Sequence, residues 1–248
     1  MRPCLHDHGH HGPQLVHERP PEPAKGRRGV SPTFERLVRA YDWSGKRALD
    51  VGCGTGGASV LLASLGARAV GIDVDPQAVR MAKRRVKEDG VTGARFVLGD
   101  AERADYRKLA KGLLDGVVAH LCFSDKITRR ASAGLAPGGA FIVRCFHQDM
   151  WKEIGQGQHF AYSLPKFRAL LKAAGLVPTH VEVERRKQRF GSFADFEASF
   201  LSVPGRREQW VDDGRYRRVE RHFARGGRQL SEAFIVAAAT KPSKGRRN

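Results

Sequence analysis

Long hydrophobic runs and paired cysteines are missing from this sequence of 248 residues. The first thirty residues contain no apolar stretch of about 7–15 residues, the core of a signal peptide, and no segment reaches transmembrane length. The four cysteines show no paired spacing, so no disulfide framework is indicated. We therefore expect a cytoplasmic protein with reduced thiols and no membrane partner.

Acidic side chains are also scarce. The chain has 26 of them against 44 lysines and arginines, a formal net charge of +18, and residues 185–248 alone carry 16 basic and 7 acidic side chains. An excess of this size indicates a polyanionic partner such as RNA. Arginine outnumbers lysine 31 to 13, however, as a GC-rich or thermophilic genome produces without any ligand. The charge is therefore compatible with both explanations.

A glycine-rich turn, by contrast, is present between two apolar segments, within Ala48–Gly57 and Ala69–Asp73. The pattern predicts a buried strand, a turn that opens a helix, and a second strand that ends in a carboxylate. Glycines allow so tight a turn because they lack a Cβ atom, and backbone N–H groups can then meet a ligand closely. Asp73 lies 17 residues past Gly56, where a carboxylate can hold the two hydroxyls of a ribose. An adenosine-containing cofactor is therefore predicted.

Two kinds of adenosine cofactor fit the glycine spacing, because Gly52, Gly54 and Gly57 also satisfy the G-x-G-x-x-G pattern of dinucleotide-binding proteins. Asp50, two residues before the first glycine, separates the two. A carboxylate aimed at this turn would repel the pyrophosphate of NAD or FAD. It suits S-adenosylmethionine, which has no phosphate and carries an ammonium and a sulfonium group. The acid before the turn therefore favours S-adenosylmethionine.

Five segments in the expected order resemble the class I S-adenosylmethionine-dependent methyltransferases, and their small-molecule and metabolite subgroup is the most similar. The resemblance covers residues 34–184 and the last strand. The segments are the motif D-V-G-C-G-T-G-G, the ribose motif V-G-I-D, the adenine motif F-V-L-G-D-A, the strand L-D-G-V-V-A-H, and an L-x-P-G-G turn with its strand, at 50–57, 70–73, 96–101, 114–120 and 135–143.

The resemblance implies an α/β fold, namely a Rossmann-like, doubly wound sheet of seven mostly parallel strands with an antiparallel last strand. A helical insertion precedes that last strand. The implied cofactor is S-adenosyl-L-methionine, with Asp73 holding its ribose and Asp100 reaching its adenine amino group. The cofactor-binding residues expected in all are Asp50, Gly52, Cys53, Gly54, Gly56, Asp73, Val74, Asp100, Ala101 and His120.

The sequence pattern divides the chain into four parts. Residues 1–30 are rich in Pro, Gly and His without apolar periodicity, which predicts a disordered tail. The histidines of this tail match no structural zinc module, so no metal site is expected. Residues 31–184 and 232–241 form the predicted methyltransferase domain, residues 185–231 a basic insertion with aromatic residues, and residues 242–248 a basic tail.

The insertion is longer than in the simplest members of the resembling family, in which a short hairpin joins the last two strands. Phe193, Phe196 and Phe200 form an apolar stripe at helical spacing, so the segment is expected to fold against the sheet. A substrate lid, an RNA-contact module, a structural appendage and a dimer contact all fit this position.

A helix is predicted to begin at Ser31, which is a suitable cap, with Pro32 in its first turn. In the resembling family a helix here covers the cofactor, so Tyr41 or Trp43 would touch it, and packing against the sheet is the alternative. Apolar periodicity further predicts helices over 58–65, 76–89, 127–135 and 164–174, and strands over 47–51, 177–184 and 232–240.

Candidate catalytic residues lie at the carboxyl ends of the fourth and fifth strands, beside the expected cofactor crevice. His120 follows the fourth strand and His147 the fifth, and either could accept a proton near neutral pH from an acceptor that carries one. Asp125, His159 and Tyr162 are weaker candidates. Polar rim residues without a catalytic role are the alternative for both histidines.

Two absent motifs restrict the acceptor. After the fourth strand the chain has no N-P-P-Y-like sequence of the kind that holds a base amine, and Cys122 has no preceding proline, so a covalent role for its thiol is not expected. We therefore expect methyl transfer to a small molecule or metabolite. The alternatives are an rRNA or tRNA methyltransferase that docks RNA on its basic carboxyl region, and a non-catalytic member that binds the cofactor.

Overall fold

A mixed β-sheet forms the centre of the protein in the computed structural model, which describes residues 30–155, 160–202 and 205–243. The strand order is β3-β2-β1-β4-β5-β8-β7, and a short β6 pairs with β5. The strands are β1 Arg47–Val51, β2 Arg68–Asp73, β3 Ala94–Leu98, β4 Leu114–His120, β5 Leu135–His147, β6 Ala161–Tyr162, β7 Val177–Arg189 and β8 Gln229–Thr240.

The first five strands pair in parallel, while the final strands are antiparallel. Helices flank the sheet, as repeated strand–helix units require. The predicted Rossmann-like fold is thereby confirmed, with the two-residue β6 as an addition to the seven expected strands. The helices are α1 Pro32–Arg39, α2 Gly57–Ser64, α3 Pro76–Glu88, α4 Tyr106–Ala110, α5 Asp125–Gly134, α6 Leu164–Ala173, α7 Phe193–Phe196, α8 Arg206–Asp212 and α9 Arg215–Ala224, with a 3-10 turn at Lys152–Ile154 and a π-helix at Glu197–Leu201.

The start of α1 agrees with the sequence prediction. The Ser31 hydroxyl accepts a 3.2 Å hydrogen bond from the backbone N–H of Phe34, and Pro32 occupies the first helical turn. Proline suits this position because the first N–H groups of a helix have no partner within it. The apolar face of the helix is buried through Phe34, Leu37 and Val38. Capping and amphipathic pattern thus define the same helix.

The last two strands are longer than their sequence pattern indicates. β7 continues to Arg189 instead of ending at Glu184, and β8 begins at Gln229 instead of Glu232. The added part of β7 is arginine-rich and mostly exposed, so it lacks the alternation that marks a half-buried strand. A 2.8 Å hydrogen bond from the N–H of Phe190 to the carbonyl of Arg228 joins the end of β7 to the start of β8.

The predicted P-G-G turn lies inside β5 as an irregularity of the strand. In the pairing of β4 with β5, Leu114 lies opposite Leu135, but Gly116 lies opposite Ala140. β5 therefore has three more residues than β4 over this stretch. The extra residues reach the other neighbour, since Gly138 N–H donates to the carbonyl of Lys241 at 2.7 Å. The turn residues therefore bulge without breaking the strand.

The chain divides into two compact units. The first comprises Met1–Cys145, Pro165–Val181 and Val236–Asn248, and the second comprises Phe146–Leu164 and Glu182–Ile235. The predicted domain limits at 184 and 232 remain predictions. The predicted tails fall almost entirely on 1–29 and 244–248, which lie outside the described residues, as do the tail histidines.

The second unit has a core of its own that is mainly aromatic. Trp151 and Trp210 meet edge to face with ring centroids 4.8 Å apart, and Phe196 stacks on Phe200 at 5.3 Å. These rings are joined by buried Phe190, Phe223, Phe234, Val219, Leu201, Leu230, Met150 and Ile154. The predicted phenylalanine stripe is thus internal to this cluster.

Neither a membrane span nor a metal site is found within the described residues. No helix in 30–155, 160–202 or 205–243 has the length and hydrophobicity needed to cross a bilayer. Over the same ranges, no group of three or more His, Cys, Asp or Glu side chains is placed to hold a metal ion.

Candidate functional site

The loop between β1 and α2 adopts a backbone conformation that favours glycine. Gly52, Gly54 and Gly56 have φ angles of 65°, 50° and 85°, all in the left-handed region. The backbone N–H groups of Gly52 and Cys53 both donate to the carbonyl of Ile72, at 2.9 and 3.0 Å. The loop is therefore attached to the end of β2 and turns sharply into α2.

Two of these glycines also lie where no side chain fits. A Cβ atom on Gly52 would stand 2.4 Å from the Cβ of Cys122, and one on Gly56 would stand 2.7 Å from the Phe96 ring. A Cβ on Gly54 would meet nothing within 4 Å. The loop is thus packed on its inner side and open at Gly54, where a ligand can approach the backbone.

Asp73 at the end of β2 is joined directly to this loop. Its Oδ2 accepts a 2.7 Å hydrogen bond from Gly54 N–H, and its Oδ1 accepts one of 2.9 Å from Asp75 N–H. A carboxylate oxygen can accept more than one hydrogen bond, so both retain capacity for ligand hydroxyls. The next residue, Val74, is 72% exposed at this same edge.

Asp50 lies behind the loop, at 1% exposure. Its Oδ2 accepts a 2.7 Å hydrogen bond from the Ser59 hydroxyl of α2. Burial, and to a smaller extent the charge of Asp73, raises the pKa of Asp50 to about 6, while the Ser59 contacts lower it. The carboxylate is therefore mostly ionised at pH 7 and would be stabilised by a cation. Ser59 was missed from the sequence, where the only signal is a serine among the apolar residues 58–63 of the helix.

The third predicted acid, Asp100, lies just past β3. Gly99 N–H donates to the backbone carbonyl of Asp73 at 2.9 Å, so this turn is linked to the end of β2. The Asp100 side chain is exposed, and its Oδ1 accepts a 2.8 Å hydrogen bond from Glu102 N–H. Ala101 is buried beside it. The turn is therefore fixed while its carboxylate stays accessible.

His120, at the end of β4, contacts the first turn of α1. Its Nε2 accepts a hydrogen bond from the backbone N–H of Ser31 at 3.3 Å, and its ring meets Phe34 edge to face at 4.9 Å. Nε2 must carry no proton to accept this bond, so the neutral ring is protonated at Nδ1. His120 therefore holds the start of α1 beside the carboxyl end of the sheet.

His147 belongs to the second unit and is 4% exposed. Its Nδ1 accepts a hydrogen bond from Asp149 N–H at 3.1 Å, and the carboxylate of Asp149 lies 3.3 Å from the same nitrogen. Burial lowers the pKa of His147, and Arg185 lowers it further, while Asp149 opposes both. The ring is therefore neutral at pH 7, the form that can accept a proton.

The weaker candidates are occupied or lie elsewhere. Asp125 forms an ion pair of 3.0 Å with Arg129 on the surface of α5. Tyr162 is buried and pairs with His147 across the β5–β6 ladder. His159 is outside the described residues.

Tyr41 and Trp43 are core residues of the first unit, at 4% and 1% exposure. The indole N–H of Trp43 donates to the carbonyl of Val38 at 2.7 Å, and a Cβ on Gly116 would overlap the indole at 2.4 Å. Packing accounts for both aromatic rings, the alternative left open by the sequence. Burial likewise raises the pKa of the Cys122 thiol to about 12, so it is protonated at neutral pH and a poor nucleophile.

The first unit thus places all ten predicted cofactor residues at or just past the carboxyl ends of its parallel strands, where such sheets usually bind ligands. These are Asp50, Gly52, Cys53, Gly54, Gly56, Asp73, Val74, Asp100, Ala101 and His120. Buried and polar groups on this edge can hold a ligand with several hydroxyl and amino groups. His147 is positioned by separate contacts in the second unit.

The proteins to which this chain is similar in sequence are methyltransferases. Residues 42–190 match a family model described as a methyltransferase domain. The ribosomal protein L11 methyltransferase of Pelotomaculum thermopropionicum is 36% identical over 112 residues, which is 44% of this chain and 35% of that protein. The ubiquinone biosynthesis O-methyltransferase of Methylobacterium sp. is 33% identical over 113 residues, 43% of each chain. These alignments span less than half of either relative.

Among solved structures, the YcgJ protein from Bacillus subtilis superimposes with a TM-score of 0.63 at 15% identity. The match covers 86% of this chain and 99% of that one. At this identity the similarity concerns the fold alone.

Proposed function

The chain belongs to the methyltransferase domain family, and we propose that it transfers a methyl group from S-adenosylmethionine to a small-molecule acceptor. S-adenosylmethionine is the methyl donor of this family. The observation that carries the proposal is the 2.7 Å hydrogen bond from Gly54 to Asp73. It joins the open part of the glycine loop to the carboxylate that ribose binding requires.

The residues present fit this cofactor on physical grounds. Gly54 leaves open space above the loop, Asp73 retains acceptor capacity, and Asp50 supplies a buried negative charge. A dinucleotide would bring a pyrophosphate toward the Asp50 carboxylate, which opposes its binding. A ligand with hydroxyls and an ammonium group meets complementary partners instead. When bound, the cofactor supplies a methyl group already activated on a sulfonium.

The protein then has to align the acceptor, exclude water and remove a proton where the acceptor carries one. His147 is neutral at pH 7, and its Nδ1, which now accepts the hydrogen bond from Asp149 N–H, is the nitrogen that would take a proton in exchange for that contact. His120 has its Nε2 engaged by Ser31, and we propose that it positions α1 over the cofactor edge as well as contacting ligand. Both assignments are part of the proposal.

A small acceptor is supported by the segment after β4. Residues Leu121–Ser124 include no proline and no asparagine, so they lack the clamp that holds a base amine. The backbone of this segment is fixed, since Leu121 adopts a φ of 65° and donates to the carbonyl of Arg144 at 2.7 Å. The ubiquinone O-methyltransferase among the relatives is consistent with such an acceptor.

The function is tested by incubating the purified protein with methyl-labelled S-adenosylmethionine and fractionated cell extract. Label is expected in the low-molecular-weight fraction, and it should be absent with the Asp73→Asn variant. Label confined to RNA or protein would overturn the small-molecule acceptor. No label in any fraction, with cofactor still bound, would favour a non-catalytic member of the family.

Histidine roles are tested by the pH dependence of kcat/KM for the acceptor so found. If His147 is the base, activity falls on the acid side of a pKa below 6.5, and the His147→Gln variant loses that acid limb. The His120→Gln variant should instead raise KM for the cofactor, while its kcat/KM should still fall at low pH as in the wild type. An unchanged profile in His147→Gln would remove this residue from the proton transfer.

RNA as acceptor is the second candidate, favoured by the +18 charge and by a relative named as a ribosomal RNA small subunit methyltransferase. It predicts binding that weakens steeply with salt, because counterions are released at each phosphate contact. Salt-independent turnover of a small acceptor would argue against it.

A further inference from the structure

Three arginines lie at the amino-terminal ends of the first three strands, opposite the strand ends that carry the glycine loop. Arg47 and Arg68 are the first residues of β1 and β2, and Arg95 is the second residue of β3. Arg47 pairs with Arg68, and Arg95 pairs with Val70. Residues two apart on a strand share a face, so Arg68 and Val70 lie on the same side. All three arginines therefore project from one face of the sheet.

These arginines and Lys111 line one groove of about 440 Å³ in the first unit. A volume of this size accommodates a nucleotide-sized ligand. The rest of the lining is small or aliphatic, namely Ala69, Val70, Gly93, Ala94 and Ala110. The groove thus offers four cations around an uncharged surface.

No carboxylate neutralises these cations. The groove lining contains no acidic residue, and within the described ranges no ion pair involves any of the four. The nearby Asp115 accepts a 2.8 Å hydrogen bond from the backbone N–H of Arg47 and is itself buried. Four like charges in one groove repel each other, so a bound anion would stabilise the arrangement.

Two of the arginine side chains, Arg68 and Arg95, are held by backbone carbonyls and still have free donors. Arg68 donates to the carbonyl of Gly45 at 2.8 Å, and Arg95 donates to the carbonyl of Leu109. A guanidinium has five N–H donors, so each of these contacts leaves others for a ligand. A fixed fork of donors matches phosphate oxygens in geometry and charge.

We propose that this groove binds an anion with two or more linked phosphates, at a site separate from the cofactor edge. The absence of aromatic residues from the lining distinguishes this ligand from single-stranded RNA, whose bases stack on aromatic rings. Free nucleoside triphosphates and inorganic polyphosphates share the required chemistry. Recognition is through charge, since the floor offers few groups to read a base.

The probe is inorganic tripolyphosphate, titrated into the full-length protein by calorimetry without divalent metal. Saturable binding is expected, and the Arg68→Glu/Arg95→Glu variant should weaken it at least tenfold, because each lost phosphate contact is worth about one power of ten. The control is Arg80→Glu/Lys83→Glu on the exposed face of α3, which changes the net charge equally. The control should bind like the wild type.

Integrity of the variant is checked by its affinity for S-adenosylhomocysteine, which should match the wild type because the two edges are separate. Tighter binding of ATP than of tripolyphosphate would identify a nucleotide, and equal binding an inorganic polyphosphate. Absence of saturable tripolyphosphate binding, or an equal loss in both variants, would overturn the proposal. So would binding of an RNA oligomer that depends on Arg68 and Arg95 and resists competition by tripolyphosphate.

Discussion

The Ser59 hydroxyl donates a 2.7 Å hydrogen bond to the buried carboxylate of Asp50 and joins the helix after the glycine loop to the strand before it. This bond offsets only part of the effect of burial, since the pKa of Asp50 is still raised from 3.8 to about 6. The ionised carboxylate therefore destabilises the fold without a cationic ligand. The same buried charge that lowers the stability of the free protein would strengthen the binding of a cationic ligand.

The Asp50→Asn variant is expected to be more stable than the wild type at pH 8 in the absence of cofactor. A folded pKa above the unfolded value means that Asp50 favours folding at low pH and that stability is lost as pH rises from about 3.8 to 6. Ionisation of Asp50 in the folded state costs on the order of 3 kcal/mol of stability. Burial of the asparagine amide would cancel about half of the gain from removing that charge. Urea unfolding at pH 8 and pH 4.5 measures it. The gain should shrink at pH 4.5, and equal gains at both pH values would contradict the assignment.

Cofactor affinity should depend on pH through the same residue. If the ionised carboxylate faces the positive amino-acid part of S-adenosylmethionine, affinity falls about tenfold per pH unit below pH 6 and is constant above it. Calorimetry between pH 5 and pH 8 tests this. Methylthioadenosine lacks the amino-acid part and serves as the control ligand, because its affinity should stay level over the same range. A parallel decline for both ligands would point to loss of the loop structure instead.

Replacement of Asp73 should weaken cofactor binding by about 1.5–3 kcal/mol, the value of a charge-assisted hydrogen bond. The Asp73→Asn variant removes the charge that would face the ribose in the proposed function, and it weakens the contact with Gly54. Asp75→Ala is the matched control, since this exposed acid caps α3 through Gln77 and has no predicted ligand. Titration of S-adenosylhomocysteine compares the two. Equal losses in both variants would mean that Asp73 acts only through the structure of the turn.

Much of the backbone of the candidate site could be predicted from sequence because its local patterns agree with one another. β1 and β4 have the predicted limits, and the glycines lie in left-handed conformations. The short α4 and β6 were not predicted, because five and two residues are too few to show periodicity. The extended end of β7 was missed because its arginines are exposed and its partners come from a distant part of the chain.

Side-chain roles were harder to predict than backbone positions. The sequence placed Asp50 at the mouth of the turn, whereas its carboxylate is buried and bonded to Ser59. The hydrogen bond between His120 and Ser31 joins residues 89 positions apart in the sequence, and no local sequence pattern predicts such a contact. Clusters that depend on strand register, such as the arginine groove, likewise need three-dimensional structure to be seen.

The Gly52→Ala variant is expected to be destabilised by about 1–3 kcal/mol, since both conformation and packing oppose a side chain. The φ angle of 65° is unfavourable for alanine, and its Cβ would lie 2.4 Å from the Cβ of Cys122. Adding Cys122→Gly should relieve the overlap and restore part of the loss, leaving the backbone strain. Chemical unfolding of both single variants and the double variant measures this coupling. Strict additivity would show that the overlap is relieved by movement of the loop.

In the second unit, Asp213→Ala should destabilise more than Arg215→Met. Arg215 is 7% exposed, donates to both oxygens of Asp213 at 2.9 and 2.8 Å, and lies 4.8 Å from the ring centroid of Trp210. Removing the acid leaves a buried cation beside the aromatic core, a loss of about 3 kcal/mol, whereas methionine replaces the cation by an apolar group. The hydrogen bonds from the Arg215 side chain hold the pKa of Asp213 below its ordinary value of 3.8, so this contribution is fully present above about pH 4 and is lost only as pH falls through that lowered pKa. Thermal unfolding of both variants at pH 7 is the measurement. A larger effect of Arg215→Met would mean that the guanidinium–indole contact, and not the ion pair, stabilises this unit.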